Sequence, residues 1–166
     1  MKANLTILLL LLTTLTYSQT EKVKSAFIYQ FTKYIEWSSE MQSGDFVIGV
    51  LGDDPIIAEL TTIAQAKKVV SQPIVVKKFD APGDISKCQI VYIPSANSGQ
   101  FSNVKSKIGK ASTLIITDKP GMAQDGAGIN FIEAEGKVQF ELNKNYFNAH
   151  SLKLSNQLVN LAKATY

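Results

Sequence analysis

The residues of this chain best placed to do chemistry are Asp53, Asp54 and Asp118. Asp53-Asp54 follow the apolar run Phe46 to Leu51, and Asp118 follows the run Ser112 to Thr117, with Lys119 beside it. In an open α/β sheet the C-terminal strand ends converge on the crevice where ligands bind. Carboxylates gathered there could hold a hard divalent cation, and a lysine could meet a phosphoryl group. That is the layout of a phospho-accepting site. The same residues also have ordinary structural uses. An Asp ahead of Pro55 is a helix-start signal, and Asp118 suits the first position of the turn Asp118-Lys119-Pro120-Gly121. The structural use is the stronger reading, because an export segment at the N-terminus separates the chain from ATP-dependent kinases.

Other catalytic sets are weaker still. The sequence holds no Gly-x-Ser-x-Gly elbow and no His-Glu-x-x-His pair. His150 is the single histidine, and no carboxylate or thiol stands at zinc-ligand spacing from it. Glu133 and Glu135 lie two apart in an expected hairpin turn, where solvation accounts for them. Gly126-Ala127-Gly128 lacks any phosphate-loop context and suits a turn with positive φ. No catalytic residue, cofactor or metal site is therefore expected. The crevice residues Asp53, Asp54, Asp118 and Met122 are expected to touch a ligand, if any residues do. Along the first helix the aromatics Phe27, Phe31, Tyr34 and Trp37 are mostly core, with Tyr34 and Trp37 the candidates for a partner surface.

The elements that would position these residues follow from hydrophobic periodicity. Val23, Ala26, Phe27, Phe31, Tyr34 and Trp37 predict a helix from Glu21 to Trp37. Continuous apolar runs predict strands at Phe46–Leu51, Pro73–Phe79, Cys88–Ile93 and Ser112–Thr117, each covered on both faces. Helices are expected after Pro55 to about Gln65 and from Ser98 to Gly109. Gly126–Ile132 and Lys137–Leu142 predict a hairpin joined by Glu133-Ala134-Glu135-Gly136. A closing helix runs from about Tyr146 to Ala164, with a break expected at His150-Ser151. Such alternation predicts one α/β domain, a largely parallel sheet flanked by helices, with a late antiparallel hairpin.

The first 18 residues read as a signal peptide. Lys2 supplies the basic start, Leu5 to Leu12 the apolar stretch, and Thr16-Tyr17-Ser18 the small residues before a cut between Ser18 and Gln19. The apolar stretch is shorter than the roughly 20 residues that span a bilayer. Residues 19–166 then form the mature domain, expected in the periplasm. All 17 cationic residues are lysine, against 14 acidic ones. Nucleic acid is an unsuitable partner for such a surface, since phosphate and base readout lean on the bidentate guanidinium. Cys88 is the single cysteine and lies in an apolar run, as a buried strand thiol would.

Several segments, in order, resemble the YfiR family of periplasmic regulators (DUF4154). They are Lys24-x-Ala26-Phe27-Ile28-Tyr29-x-Phe31-x-Lys33-Tyr34-Ile35-Glu36-Trp37, Val50-Leu51-Gly52-Asp53-Asp54-Pro55 and Cys88-Gln89-Ile90-Val91-Tyr92-Ile93. Leu114-Ile115-Ile116-Thr117-Asp118 with Gly121-Met122-Ala123 follow, then Phe140-Glu141-Leu142-Asn143 and Leu152-Lys153-Leu154-Ser155-x-x-Leu158. The resemblance implies a repressor of an inner-membrane diguanylate cyclase, or a partner of a sensor histidine kinase, acting through the enzyme's periplasmic domain. It also implies an outer-membrane lipoprotein that sequesters the repressor, a homodimer, and control of cyclic di-GMP and biofilm. An alternative is a periplasmic module for a small molecule or cell-wall fragment. Family members carry more cysteines and can form disulfides; this chain keeps only Cys88, so an intrachain disulfide is ruled out here, and Ser151 stands where a Gly is expected.

Overall fold

The computed structural model describes residues 19–166, so the expected export segment, Ser18 included, lies outside the described residues. The first helix, α1, occupies residues 19–31. Its buried stripe is Glu21, Ser25, Ile28 and Phe31, about one turn apart. The stripe thus begins with a carboxylate. The sequence pattern carries the helix on to Trp37, but it stops at 31 because the next turn is claimed elsewhere. Thr32 Oγ1 donates back to Tyr29 O at 2.7 Å, and Tyr34 O accepts from Ser155 N at 3.0 Å. Strand β1 (Ile35–Glu36) then pairs antiparallel with β9 (Lys153–Leu154). A long-range pairing overrides the local helical period.

Strand β2 (Phe46–Leu51) is buried at every position. Helix α2 (Ile56–Ala66) follows it, and Asp54 Oδ1 accepts from Ile56 N at 2.9 Å, which satisfies one of the orphan donors of the first turn. The hairpin β3 (Lys68–Val69) and β4 (Gln72–Phe79) comes next, then β5 (Ile90–Ile93). The helix expected over Ser98–Gly109 is a 3-10 turn over Ser95–Gln100 followed by α3 (Phe101–Ile108). After β6 (Leu114–Thr117) come β7 (Ile129–Ala134) and β8 (Lys137–Leu142). Their loop is two residues, Glu135-Gly136, both at positive φ, a tighter hairpin than the four residues expected from sequence.

The closing helix is two short ones, α4 (Lys144–Ala149) and α5 (Asn156–Leu161), parted by β9. The break falls where expected: Ser151 takes a left-handed turn, φ 53°. Two residues of β10 (Ala164–Thr165) end the chain in the sheet. The eight-stranded sheet has the order β10-β8-β7-β6-β5-β2-β4-β3. The pairs β2–β4, β2–β5, β5–β6, β6–β7 and β8–β10 are parallel, while β3–β4 and β7–β8 are antiparallel. The mixed α/β architecture expected from sequence is the one observed.

Two packing centres hold the layers. Phe27 and Phe31 of α1 stack on Phe131 and Phe140 with ring centroids 5.0–6.1 Å apart. At the other end Trp37 meets Phe46 edge-on at 4.9 Å. Burying each such ring contributes roughly 2–3 kcal/mol. The chain leaves β2 toward β4 on one side and returns to β5 on the other. The switch point therefore lies between β2 and β5, whose carboxyl ends share one edge of the sheet.

Candidate functional site

At that carboxyl edge three segments meet. Leu51 of β2 leads into Gly52-Asp53-Asp54, β5 brings Tyr92, and Thr117 of β6 leads into Asp118. Gly52 has φ +80°, and a Cβ there would lie 2.7 Å from the Asn97 amide. A side chain would push away the loop that follows β5. The first turn of α1 lies over this edge and supplies Glu21 and Lys24.

Lys24 is the hub. Its ammonium donates to Glu21 Oε1 at 2.9 Å and to Asp118 Oδ2 at 2.7 Å. The Tyr92 hydroxyl donates to the same Asp118 oxygen at 2.7 Å. These groups are withdrawn from water: relative side-chain exposure is 12% for Lys24, 3% for Glu21 and 11% for Asp118. Glu21 Oε2 and Asp118 Oδ1 are buried and find no hydrogen-bond partner among the described residues. Each buried acceptor left open costs about 1–3 kcal/mol, more when charged, so such a pair calls for an explanation.

The electrostatics agree with a site short of positive charge. Burial pushes the Glu21 carboxyl above its ordinary value; Lys24 pulls it down, and the charges of Asp54 and Asp118 push it up again. Burial likewise raises Asp54, the Ile56 N–H lowers it, and the Asp118 charge raises it further. Burial alone would lower Lys24, but its bonds to Asp118 and Glu21 outweigh that and hold it above the usual lysine range. Burial first, then the Asp118 charge, keeps the Tyr92 phenol protonated. Glu21 and Asp118 thus share the ammonium of Lys24, and Asp54 feels its charge without touching it. The arrangement can accept hydrogen bonds and balance positive charge. It sets a phenol and an ammonium as donors, with no nucleophile beside a base.

Of the residues expected at a ligand site, the structure joins Asp54 and Asp118 electrostatically. Asp53 is exposed at the crevice rim. Met122 is 6% exposed and belongs to the apolar core. Asp118 does not open a turn as expected; the turn lies one residue on, with Met122 N donating to Lys119 O at 3.3 Å. Its carboxylate is instead held by Lys24 and Tyr92. Trp37, expected to face a partner, is 5% exposed, and its indole N–H donates to Gln89 O at 2.9 Å. Tyr34 remains half-buried beside Lys33 and Lys153 in a shallow cleft. Glu21, Lys24 and Tyr92 were missed by sequence reasoning. A signal existed for Glu21, a carboxylate in phase with the buried stripe Ser25, Ile28, Phe31. None existed for Tyr92, one apolar-run residue among several.

Cys88 is buried, as its apolar run predicts, and burial pushes its thiol up to about 12. No described helix is long and apolar enough to cross a membrane.

No curated protein matches the chain. Its fold is similar to a solved structure described as the ABC domain in complex with L-Trp from Streptococcus pneumonia, with TM-score 0.53 and 12% identity. The match covers 73% of this chain and 55% of that one, so the chain spans about half that protein's length. At such identity the likeness is one of fold. The model of the YfiR/HmsC-like family (DUF4154) matches residues 21–163, nearly all of the described chain. From Glu21 at the start of α1 to Lys163 beside β10, this chain belongs to the YfiR/HmsC-like family, periplasmic regulators of cyclic di-GMP signalling.

Proposed function

We propose that this protein is exported, cut between Ser18 and Gln19, and acts in the periplasm as a regulatory subunit. It docks on the extracytoplasmic domain of an inner-membrane diguanylate cyclase or sensor histidine kinase. Family membership over residues 21–163 is the observation that carries this reading. The mechanism is mass action: binding favours one conformation of the enzyme, by no more than the difference in affinity for its two states. A competing envelope lipoprotein, or a second copy of the chain, would draw the regulator away.

The test pairs a cell measurement with a binding one. Deleting or overexpressing the gene changes cyclic di-GMP or kinase output, and the processed chain captures the extracytoplasmic domain of its enzyme. Unchanged output in both strains refutes the reading. Mass spectrometry of the periplasmic fraction fixes the processing point; a first residue other than Gln19 refutes the stated cut.

A second reading, a small-molecule module, is favoured by one observation: the two unpartnered carboxylate oxygens of Glu21 and Asp118 beside the sheet's carboxyl edge. The two readings are compatible, since a ligand held at that crevice could bias docking.

A further inference from the structure

We infer that the tip of the β3–β4 hairpin and the cleft beside it dock a segment of the signalling enzyme's extracytoplasmic domain, one that sets an apolar side chain beside carboxylates. The inference rests on the regulatory reading above and names the surface through which that docking occurs.

The starting observation is Val70. Lys68 pairs with Pro73 and Val69 with Gln72, which leaves Val70-Ser71 as a two-residue loop. Of the two, only Val70 has a positive φ, at 54°. That is the pattern of a type II′ turn, whose first central position ordinarily holds glycine. A β-branched residue there is an outlier, because its Cβ crowds the backbone. Burial gives nothing back: Val70 is 97% exposed, the most of any large apolar side chain described. Turn geometry and solvation both disfavour valine at this position. Strain held at a bare apolar side chain points to a partner that covers it.

Beside the tip lies a cleft of about 340 Å³, with Val70 at its rim. Ile35, Trp37, Phe46 and Val69 form its apolar wall. Each is 1–7% exposed, so the core holds the wall in place before any partner arrives. A small molecule in the cleft would leave most of Val70 bare. A bilayer would cover the tip and leave the recess empty. A protein segment with an apolar anchor fills the recess and covers the tip together.

Charge selects among protein partners. Lys33 lines the cleft with its ammonium 5.0 Å from the Tyr29 ring centre, and the Tyr29 hydroxyl donates to Lys68 O at 3.5 Å. Lys68 and its neighbour Lys67 are exposed, and none of the three lysines has an ion pair among the described residues. Glu36 also lines the cleft, but Lys153 holds it at 2.8 Å. The rim therefore carries uncompensated positive charge. A second copy of the same face would set lysine against lysine, whereas a segment with carboxylates beside its anchor meets both charge and shape.

Surface plasmon resonance tests this with the processed chain and the purified extracytoplasmic domain of the cyclase or kinase whose output the gene deletion changes. Val70→Gly weakens capture about tenfold or more, the size of one buried valine side chain. The same variant relieves the turn, so its melting point rises by up to about 4 °C. A structural role would move stability and capture in the same direction; docking moves them in opposite ones. The pair Lys33→Glu and Lys68→Glu, made together, slows association, most at low salt. Capture by Val70→Gly equal to wild type overturns the inference, as does a melting point that falls with the loss of capture. Unchanged association in the charge pair removes the acidic partner. Sedimentation with phosphatidylglycerol vesicles that depends on Val70, with capture unaffected, gives the tip to a membrane and overturns the inference too. A wild-type chain that captures neither enzyme sinks the regulatory reading and this inference with it, whereas equal capture by wild type and Val70→Gly sinks this inference alone.

Discussion

Replacing Lys24 by Met keeps an unbranched side chain one atom shorter and removes its charge. Two contacts disappear together, to Glu21 at 2.9 Å and to Asp118 at 2.7 Å. Surface ion pairs contribute 0–1 kcal/mol, but Glu21 is buried and Lys24 and Asp118 are part-buried, all 3–12% exposed, which sets them near the buried case. Breaking a buried pair from one side costs about 3–5 kcal/mol, since the carboxylates stay behind uncompensated. For a domain of this size that lowers the melting point by roughly 6–20 °C. Urea unfolding with unchanged slope measures it directly.

The pH dependence gives a second, independent readout. Glu21 has a raised folded pKa, so the native state holds this proton more tightly than the unfolded one. Its cost is therefore full above the folded pKa and eases as pH falls through it. Without Lys24 the two influences that lower Glu21 are gone, so its pKa climbs further. The defect of Lys24→Met is thus smaller at about pH 5 than at about pH 7. Lys24 itself has a raised pKa, so its stabilisation is complete below the unfolded value of 10.5 and lost above it. The gap between wild type and variant narrows there as well. A loss below about 1 kcal/mol, or one that ignores pH, refutes the buried-hub account.

Three further outcomes follow from single contacts. Trp37→Phe removes the indole bond to Gln89 O, but that carbonyl keeps the Leu114 N–H at 2.8 Å, so the cost is about 1–2 kcal/mol. Gln89→Leu strips the Val47 N–H of its acceptor at 2.8 Å and costs more, about 2–4 kcal/mol; the reverse order in urea unfolding refutes the assignment. Ser151→Gly, at φ 53°, relieves a left-handed residue and raises stability by up to about 1 kcal/mol in the same assay. Cys88 is 1% exposed with its thiol pushed up to about 12, so a thiol reagent at neutral pH labels it only as fast as the domain opens. Rapid labelling without denaturant contradicts that burial.

The sheet was legible in the sequence because its central strands are covered on both faces. A run such as Phe-Val-Ile-Gly-Val-Leu has few other homes, and the strand found is Phe46–Leu51 as drawn from the pattern. Where local pattern and long-range pairing disagreed, pairing won. The helical period through Tyr34 and Trp37 is real, yet Ile35–Glu36 belong to β9 and Trp37 to Gln89. Two-residue strands leave no period to read, which is why β1, β3, β9 and β10 went unseen. The site was half legible for a related reason. Asp54 and Asp118 stand beside strand ends, and the rule about such ends finds them from one sequence. Glu21 and Lys24 come from a helix far away in the chain, and only packing brings them to Asp118, 94 residues on from Lys24.

That distance bears on function. The cluster ties the first turn of α1 to the sheet's carboxyl edge, and α1 is also held by the ring stack of Phe27 and Phe31. The aromatic end stabilises through apolar area and has little dependence on charge. The Glu21–Lys24 end stabilises through charge and is open to change by protons. A change of charge there therefore alters the hold on one end of α1 while the other stays fixed. A regulator needs such a coupling, a local charge event that biases one face of the fold. If hydrogen exchange in the first turn of α1 is the same in wild type and in Lys24→Met, the cluster does not hold that end and the coupling fails.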